Sequence, residues 1–338
     1  MTVLQVTWFV LVIFFFTVYA LLDGFDLGVG ILFFMGGKKH RRALLSAIGP
    51  FWDGNEVWLL AAGASLFAAF PKAYASVFSG FYLPLILVIA SLIFRAVALE
   101  FRNALDSPRW QHGWDRAFAA GSILPAILFG VALGNIVQGI PLDEKGNFTG
   151  SPVTLLNPYA LVTGVMACFL FAQHGALFIA FRSKGELAES ARTWAQNAWA
   201  GSFVFILSVC GWSTVYQGIT GNYRAYPVLM VVLFLLGFFI AAVPVYLNKD
   251  QFFRAFMMSS GMLCTLAFSY GAAIFPCVVP ARDNPFNSLC IAAASSTEKT
   301  LFIMLIMALI GIPLVTWYTV YAYRVFLASK HGSENDGY

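Results

Sequence analysis

Charge is scarce in this chain of 338 residues: Asp, Glu, Lys and Arg make up 11%, against 60% hydrophobic and 17% aromatic residues. An ordinary soluble domain is about 25% charged, so a water-soluble fold is excluded by composition. Histidine is equally thin. The chain has four, His40, His112, His174 and His331, and only His174 falls inside an apolar run. A membrane cytochrome holding several haems needs several axial ligands at bilayer depth, which one histidine does not supply. There is no Gly-rich phosphate loop, no paired-cysteine metal motif and no nucleophile elbow, so a self-contained hydrolase or kinase is not expected, nor a metal site. The net charge of +4 lies in loops rather than on an aromatic-interleaved patch, which excludes nucleic acid as a partner.

What the chain does have is long apolar runs, with a mean hydropathy of +0.78. A bilayer core about 30 Å thick takes roughly 20 apolar helical residues to cross. Reading the runs and their charged ends gives about nine candidate spans, roughly 5–35, 43–70, 73–98, 114–139, 157–182, 198–218, 226–247, 254–276 and 299–327. The opening "MTVLQVTWFV" has no basic stretch ahead of its apolar run, and that run is too long for a signal-peptide core, so it reads as a membrane helix. Positive residues cluster in alternate loops: Lys38, Lys39, Arg41 and Arg42, then Arg102, Arg109 and Arg116, then Arg182, Lys184 and Arg192, then Lys249 and Arg254, and last Arg324 and Lys330. The positive-inside rule then puts the N-terminus outside and the C-terminus in the cytoplasm. The fold class expected is an all-α polytopic membrane protein forming one integral domain over 1–338. Weak internal similarity suggests half-repeats 1–140 and 157–276, two four-helix bundles followed by one C-terminal helix.

Acids inside the runs are the next feature. A charged side chain at the centre of a membrane helix costs about 2.5–3.5 kcal/mol on insertion scales, so such residues face a bundle interior or water. Asp23 and Asp26 lie in "ALLDGFDLGVG", Asp53 and Glu56 in "GPFWDGNEVWLL". Each pair has i,i+3 spacing, which puts both acids on one helix face. Helix rise places the two pairs at similar depth in adjacent antiparallel helices, so one four-carboxyl cluster beneath the cytoplasmic face is expected. Desolvation and mutual repulsion keep such a cluster from ionising completely, a property suited to a proton relay. Arg95 is expected to hold one acid ionised, with Glu100 nearer the surface; the alternative is a buried ion-pair network that only locks the bundle. Gly24, Gly28 and Gly30 read as a close-packing surface. Cys168, Cys210 and Cys264 fall inside spans and read as core residues. Cys277 and Cys290 fall in a loop assigned to the outside, where an oxidising compartment permits a disulfide.

The stretches "LDGFDLGVG", "GPFWDGNEVWLLAAGASLFAAFP", "YASVFSGFYLPLILVIASLIFRAVALEFR" and "GSILPAILFGVALGNIVQG" closely resemble subunit II of the cytochrome bd quinol oxidases, cyanide-insensitive relatives included. The resemblance implies a heterodimer in a prokaryotic plasma (inner) membrane, whose subunit I carries the haem ligands of haem b and haem d and oxidises quinol while dioxygen is reduced to water. It implies a proton-route role for Asp23, Asp26, Asp53 and Glu56, supported by Arg95 and Glu100. It also allows a structural quinone in this chain and a small single-helix subunit in the complex. It gives His174 no role. The competing reading is a stand-alone proton-coupled transporter, which also uses midplane acids and interrupted helices.

Overall fold

The computed structural model describes residues 1–216 and 220–328. Lys330 and His331 lie outside the described residues. In chain order the helices are α1 (Val3–Leu32), α2 (Gly37–Ile48), α3 (Trp52–Ala69), α4 (Pro71–Gly80), α5 (Tyr82–Phe101), α6 (Pro108–Gln138), α7 (Pro158–Arg182), α8 (Glu186–Tyr216), α9 (Thr220–Ala225), α10 (Met230–Asn248), α11 (Phe252–Ile274), α12 (Ile291–Ala294) and α13 (Glu298–Ala328). A short antiparallel pair, β1 (Cys277–Val279) and β2 (Leu289–Cys290), sits between α11 and α12. Among the described residues, eight helices are long and apolar enough to cross a membrane, and the chain is a multi-pass membrane protein.

Two of the nine expected spans are built differently. The run 43–70 divides into α2 and α3, because Gly49-Pro50 interrupts it and proline disfavours a helical residue before it. What remains as α3 is 18 residues long, and Asp53, Asn55 and Glu56 in its first turns lower its hydropathy. The run 73–98 divides into α4 and α5 at Phe81. Pro84 has no N–H for the Gly80 carbonyl four residues back, so α4 stops there and α5 restarts with the proline in its tolerant first turn. α8 begins about a dozen residues before its expected span, adding the polar turns from Glu186 to Asn197 to the apolar helix.

α7 is the most enclosed of these helices and α13 the least: 78% of the most apolar window of α7 is buried, against 6% for α13. α1 packs on α3, α6, α7 and α11. The contact of α1 with α7 is backbone to backbone. A Cβ at Gly28 would lie 1.9 Å from the Phe171 carbonyl oxygen, and one at Gly175 2.6 Å from the Gly28 carbonyl carbon. Gly30 instead admits Ser122 of α6. Small residues therefore serve as the packing surface that the sequence suggested, and they enclose the whole stretch from Asp23 to Gly30. One end of α1 packs into a cluster containing Phe33, Leu44, Phe118 and Trp194; the other end packs with Trp8, Trp58, Phe70 and Ile140. Beyond that second end, Cys277 and Cys290 form a disulfide across β1 and β2.

Candidate functional site

The buried face of α3 is the line Asn55, Trp58, Ala62, Leu66 and Ala69, spaced three or four residues apart and turned toward α1. At 100° per residue, Glu56 lies on the flank of that line and Asp53 roughly opposite it. α1 is enclosed all round at the same level, so both of its aspartates point into protein. α5 contributes Arg95, which is 1% exposed. Its Nη2 donates to Asp23 Oδ1 at 2.6 Å and to Glu56 Oε1 at 2.5 Å. Asp26 accepts at Oδ2 from the Asn55 amide at 2.8 Å, and the same nitrogen donates to the Leu22 carbonyl at 3.1 Å. The Tyr323 hydroxyl of α13 donates to Asn55 Oδ1 at 3.0 Å.

Two acids thus meet one cation, and a third, Asp26, is held beside them by an amide. Asp23 and Asp26 are fully buried and the Glu56 side chain is 25% exposed. Asp53 is exposed and makes no ion pair, so the expected four-carboxyl cluster is a cluster of three with Asp53 beside it. The reason is angular: i,i+3 spacing kept Asp53 and Glu56 within 60° of each other, but the buried face of α3 is centred on Asn55, on the far side of Glu56. Glu100 is exposed on α5 and lines a small crevice with Arg42, Ser46, Trp52, Arg102 and Asn103. Asp23 Oδ2, Asp26 Oδ1 and Arg95 Nε and Nη1 are buried without a protein partner, as is the hydroxyl of Tyr19, one turn along α1 from Asp23. Such groups are normally satisfied by ordered water.

Asn55, Tyr19 and Tyr323 were missed by sequence reasoning. Asn55 had a signal, since it extends the 58, 62, 66, 69 stripe by one turn, but an amide between two acids is easily read past. Tyr323 had none, being more than 260 residues away. A second buried ionic group lies at the α2 end of the bundle: Asp115 on α6 accepts from Arg41 at 2.8 Å and from Arg102 at 2.6 Å. It ties two of the positively charged loops to the helix ends.

The surroundings of His174 are not those of a haem ligand. His174 is buried and both ring nitrogens are engaged, Nδ1 with Ser259 Oγ at 3.0 Å and Nε2 with the Leu21 carbonyl at 3.1 Å. Its ring stacks on Phe256 with centroids 4.4 Å apart. These residues do not fit an axial ligand, which needs a free nitrogen and an open face. Among the described residues, no group of three or more His, Cys, Asp or Glu side chains could hold a metal ion.

Comparison with known proteins gives one answer. The chain is 35% identical to the cytochrome bd-I ubiquinol oxidase subunit 2 of Escherichia coli K12, with 95% of this chain and 93% of that protein aligned. It is likewise 35% identical to the cytochrome bd ubiquinol oxidase subunit 2 of Bacillus subtilis, with 94% of each aligned. A chain of the bd oxidase structure from Geobacillus thermodenitrificans superposes with a TM-score of 0.80 over 96% of this chain and 99% of that one, at 15% identity, which speaks to the fold. The family model for cytochrome bd terminal oxidase subunit II matches residues 4–326, and the chain belongs to that family.

Proposed function

We propose that this chain is the haem-free second subunit of a bd-type quinol oxidase, assembled with a haem-bearing subunit I, and that it carries protons inward from the cytoplasm. The observation that carries the proton route is the gradient of enclosure along the acids. Asp53 is open, Glu56 is a quarter exposed, and Asp23 and Asp26 are closed off. One guanidinium serves Asp23 and Glu56, so two carboxylates share a single positive charge, and Asp26 is held only by an amide. A third buried charge without a cation is costly in a low-dielectric interior. Asp26 therefore stores the proton in this reading, while Arg95 holds Asp23 and Glu56 beside it. Asp53 is the receiving group at the surface, and Glu100 lies in a separate crevice beside Arg42.

The orientation proposed places the α2 end, with its basic residues and the Asp115 ion pairs, in the cytoplasm of a prokaryotic inner membrane. The Cys277–Cys290 loop then lies outside, where a disulfide persists. A repeat is supported by the packing: α1 with α3 and α5 with α6 in one half correspond to α7 with α8 and α10 with α11 in the other. Haem b and haem d, bound by the partner, would supply the reduction of dioxygen with quinol electrons; the residues here hold and move protons.

The test is proton uptake and quinol oxidase turnover in a complex whose haem content is verified by its visible spectrum. Glu56→Gln and Asp26→Asn are expected to slow both at least tenfold, and Asp53→Asn to slow them less because water reaches Glu56 directly. Unchanged turnover and uptake in a fully haem-loaded Glu56→Gln complex would exclude the route.

A further inference from the structure

His174 is absorbed by none of the roles above, yet it is the end of a polar chain running through the second half of the molecule. The Leu21 carbonyl can only accept, so the ring hydrogen sits on Nε2 and donates there at 3.1 Å. Nδ1 is then an acceptor, and the Ser259 hydroxyl of α11 donates to it at 3.0 Å. Ser259 Oγ in turn accepts from Gln173 Nε2 at 3.2 Å, and Gln173 Oε1 accepts from the Ser202 hydroxyl of α8 at 2.8 Å. The ring hydrogen and the Ser259 hydrogen each have one direction, the Ser202 hydroxyl also reaches the Trp199 carbonyl at 2.9 Å, and all four side chains are buried.

This chain does not conduct protons. It contains an amide, which donates and accepts through different atoms, and it ends on a backbone carbonyl. What it does is mechanical. The Leu21 carbonyl is pulled by His174 from one side of α1, and the next carbonyl, Leu22, is pulled by Asn55 from another, with the same Asn55 nitrogen holding Asp26. Two consecutive carbonyls gripped by side chains from α7 and α3 set the azimuth of the turn that begins at Asp23. The Gly28 and Gly175 backbone contact just beyond fixes the separation of α1 from α7, so His174 acts against a rigid support.

We propose that His174 is a positioning residue for the acid cluster: its Nε2–H holds the Leu21 carbonyl and so aims Asp23 at Arg95 and Asp26 at Asn55. The inference deepens the proton-route reading and rests on it for its consequence, though the positioning itself is readable alone.

Two amide variants separate the donor from the acceptor. In His174→Gln the side-chain nitrogen stands where Nε2 stood and keeps the donor to Leu21; in His174→Asn the oxygen stands where Nδ1 stood and keeps only the acceptor for Ser259. In the haem-loaded complex, the infrared band of the protonated carboxyl assigned by its loss in Asp26→Asn is expected to shift in His174→Asn and to stay in place in His174→Gln. Equal shifts in both variants, or none in either, would overturn the proposal. Should His174→Asn fail to assemble, Ser259→Ala, which frees Nδ1 and lets the ring hydrogen exchange places, is expected to give a smaller shift, and its absence would be equally fatal. If wild-type complex shows no Asp26-dependent band, the proton-storage reading fails. The positioning is then read from amide exchange at Phe25, whose N–H shares the Leu21 carbonyl: faster in His174→Asn and unchanged in His174→Gln supports it, and no difference refutes it.

Discussion

Replacing Arg95 by Met tests whether the acid cluster is held together by one cation. The guanidinium is 1% exposed and makes charged hydrogen bonds to Asp23 and Glu56 at 2.6 and 2.5 Å. Each such bond contributes about 1.5–3 kcal/mol. Asp23 is fully buried, so the whole of its loss counts; Glu56 is partly open, and water replaces much of what it loses. Removing one partner of a buried ion pair costs about 3–5 kcal/mol, because the remaining charge is stranded. Arg95→Met is therefore expected to lower the stability of the assembled complex by about that amount at neutral pH. The magnitude should fall sharply in Asp23→Asn/Arg95→Met, since the stranded carboxylate is gone. A double-mutant cycle built on reversible denaturation of the solubilised complex reads the coupling, expected to lie within about 1–3 kcal/mol. Additive losses, or an Arg95→Met complex as stable as wild type, would show that the pair is not the clamp described.

Gly28→Ala puts a methyl into the Phe171 carbonyl and is expected to abolish accumulation of the chain in membranes, while Gly113→Ala, where nothing lies within 4 Å, is expected to leave accumulation unchanged, both read by immunoblot. Tyr323→Phe removes the hydroxyl that donates to Asn55 and should destabilise the complex by about 0.5–1.5 kcal/mol, measured by its unfolding midpoint, with a smaller loss of turnover than Asp26→Asn. In the exposed 143–147 turn, the side-chain and backbone N–H groups of Asn147, with the Lys145 N–H, hold the Asp143 carboxyl below the usual carboxylate range. A lowered folded-state pKa means the turn is favoured above the carboxylate's ordinary pKa and loses that contribution as pH falls through the lowered one. Protection of the Lys145 and Asn147 amides, taken relative to the free-peptide exchange rate at the same pH, should hold at neutral pH and fall only in acid below the usual carboxylate range; Asn147→Ala should move that fall to higher pH.

Much of this protein was legible in its residues because membrane insertion leaves few choices. Apolar runs of bilayer length become helices, as they have no other way to satisfy their backbone groups in lipid. Acids placed within them must face protein. Asp23, Asp26, Glu56 and Arg95 were read for that reason, and the small residues of "DGFDLGVG" for the close approach they permit. Exposed apolar side chains such as Ile86, Phe234 and Trp317 follow from the same composition. The family, too, is written in those motifs.

Tertiary packing decided the rest. Spacing put Asp53 and Glu56 on one face of α3, but only the docking of α3 on α1 chose Asn55 as the centre of the buried side and left Asp53 outside. Glycine and proline marked where the runs 43–70 and 73–98 are cut, but hydropathy alone read through both breaks. Asn55 finds Tyr323 and Leu22, and His174 finds Leu21 and Ser259, across as many as 268 residues of chain. Hydropathy and periodicity describe one helix at a time and fix which side chains leave the lipid; which partner each one meets depends on the rotation of one helix against another, set by contacts such as Gly28 against Phe171 that no single segment contains.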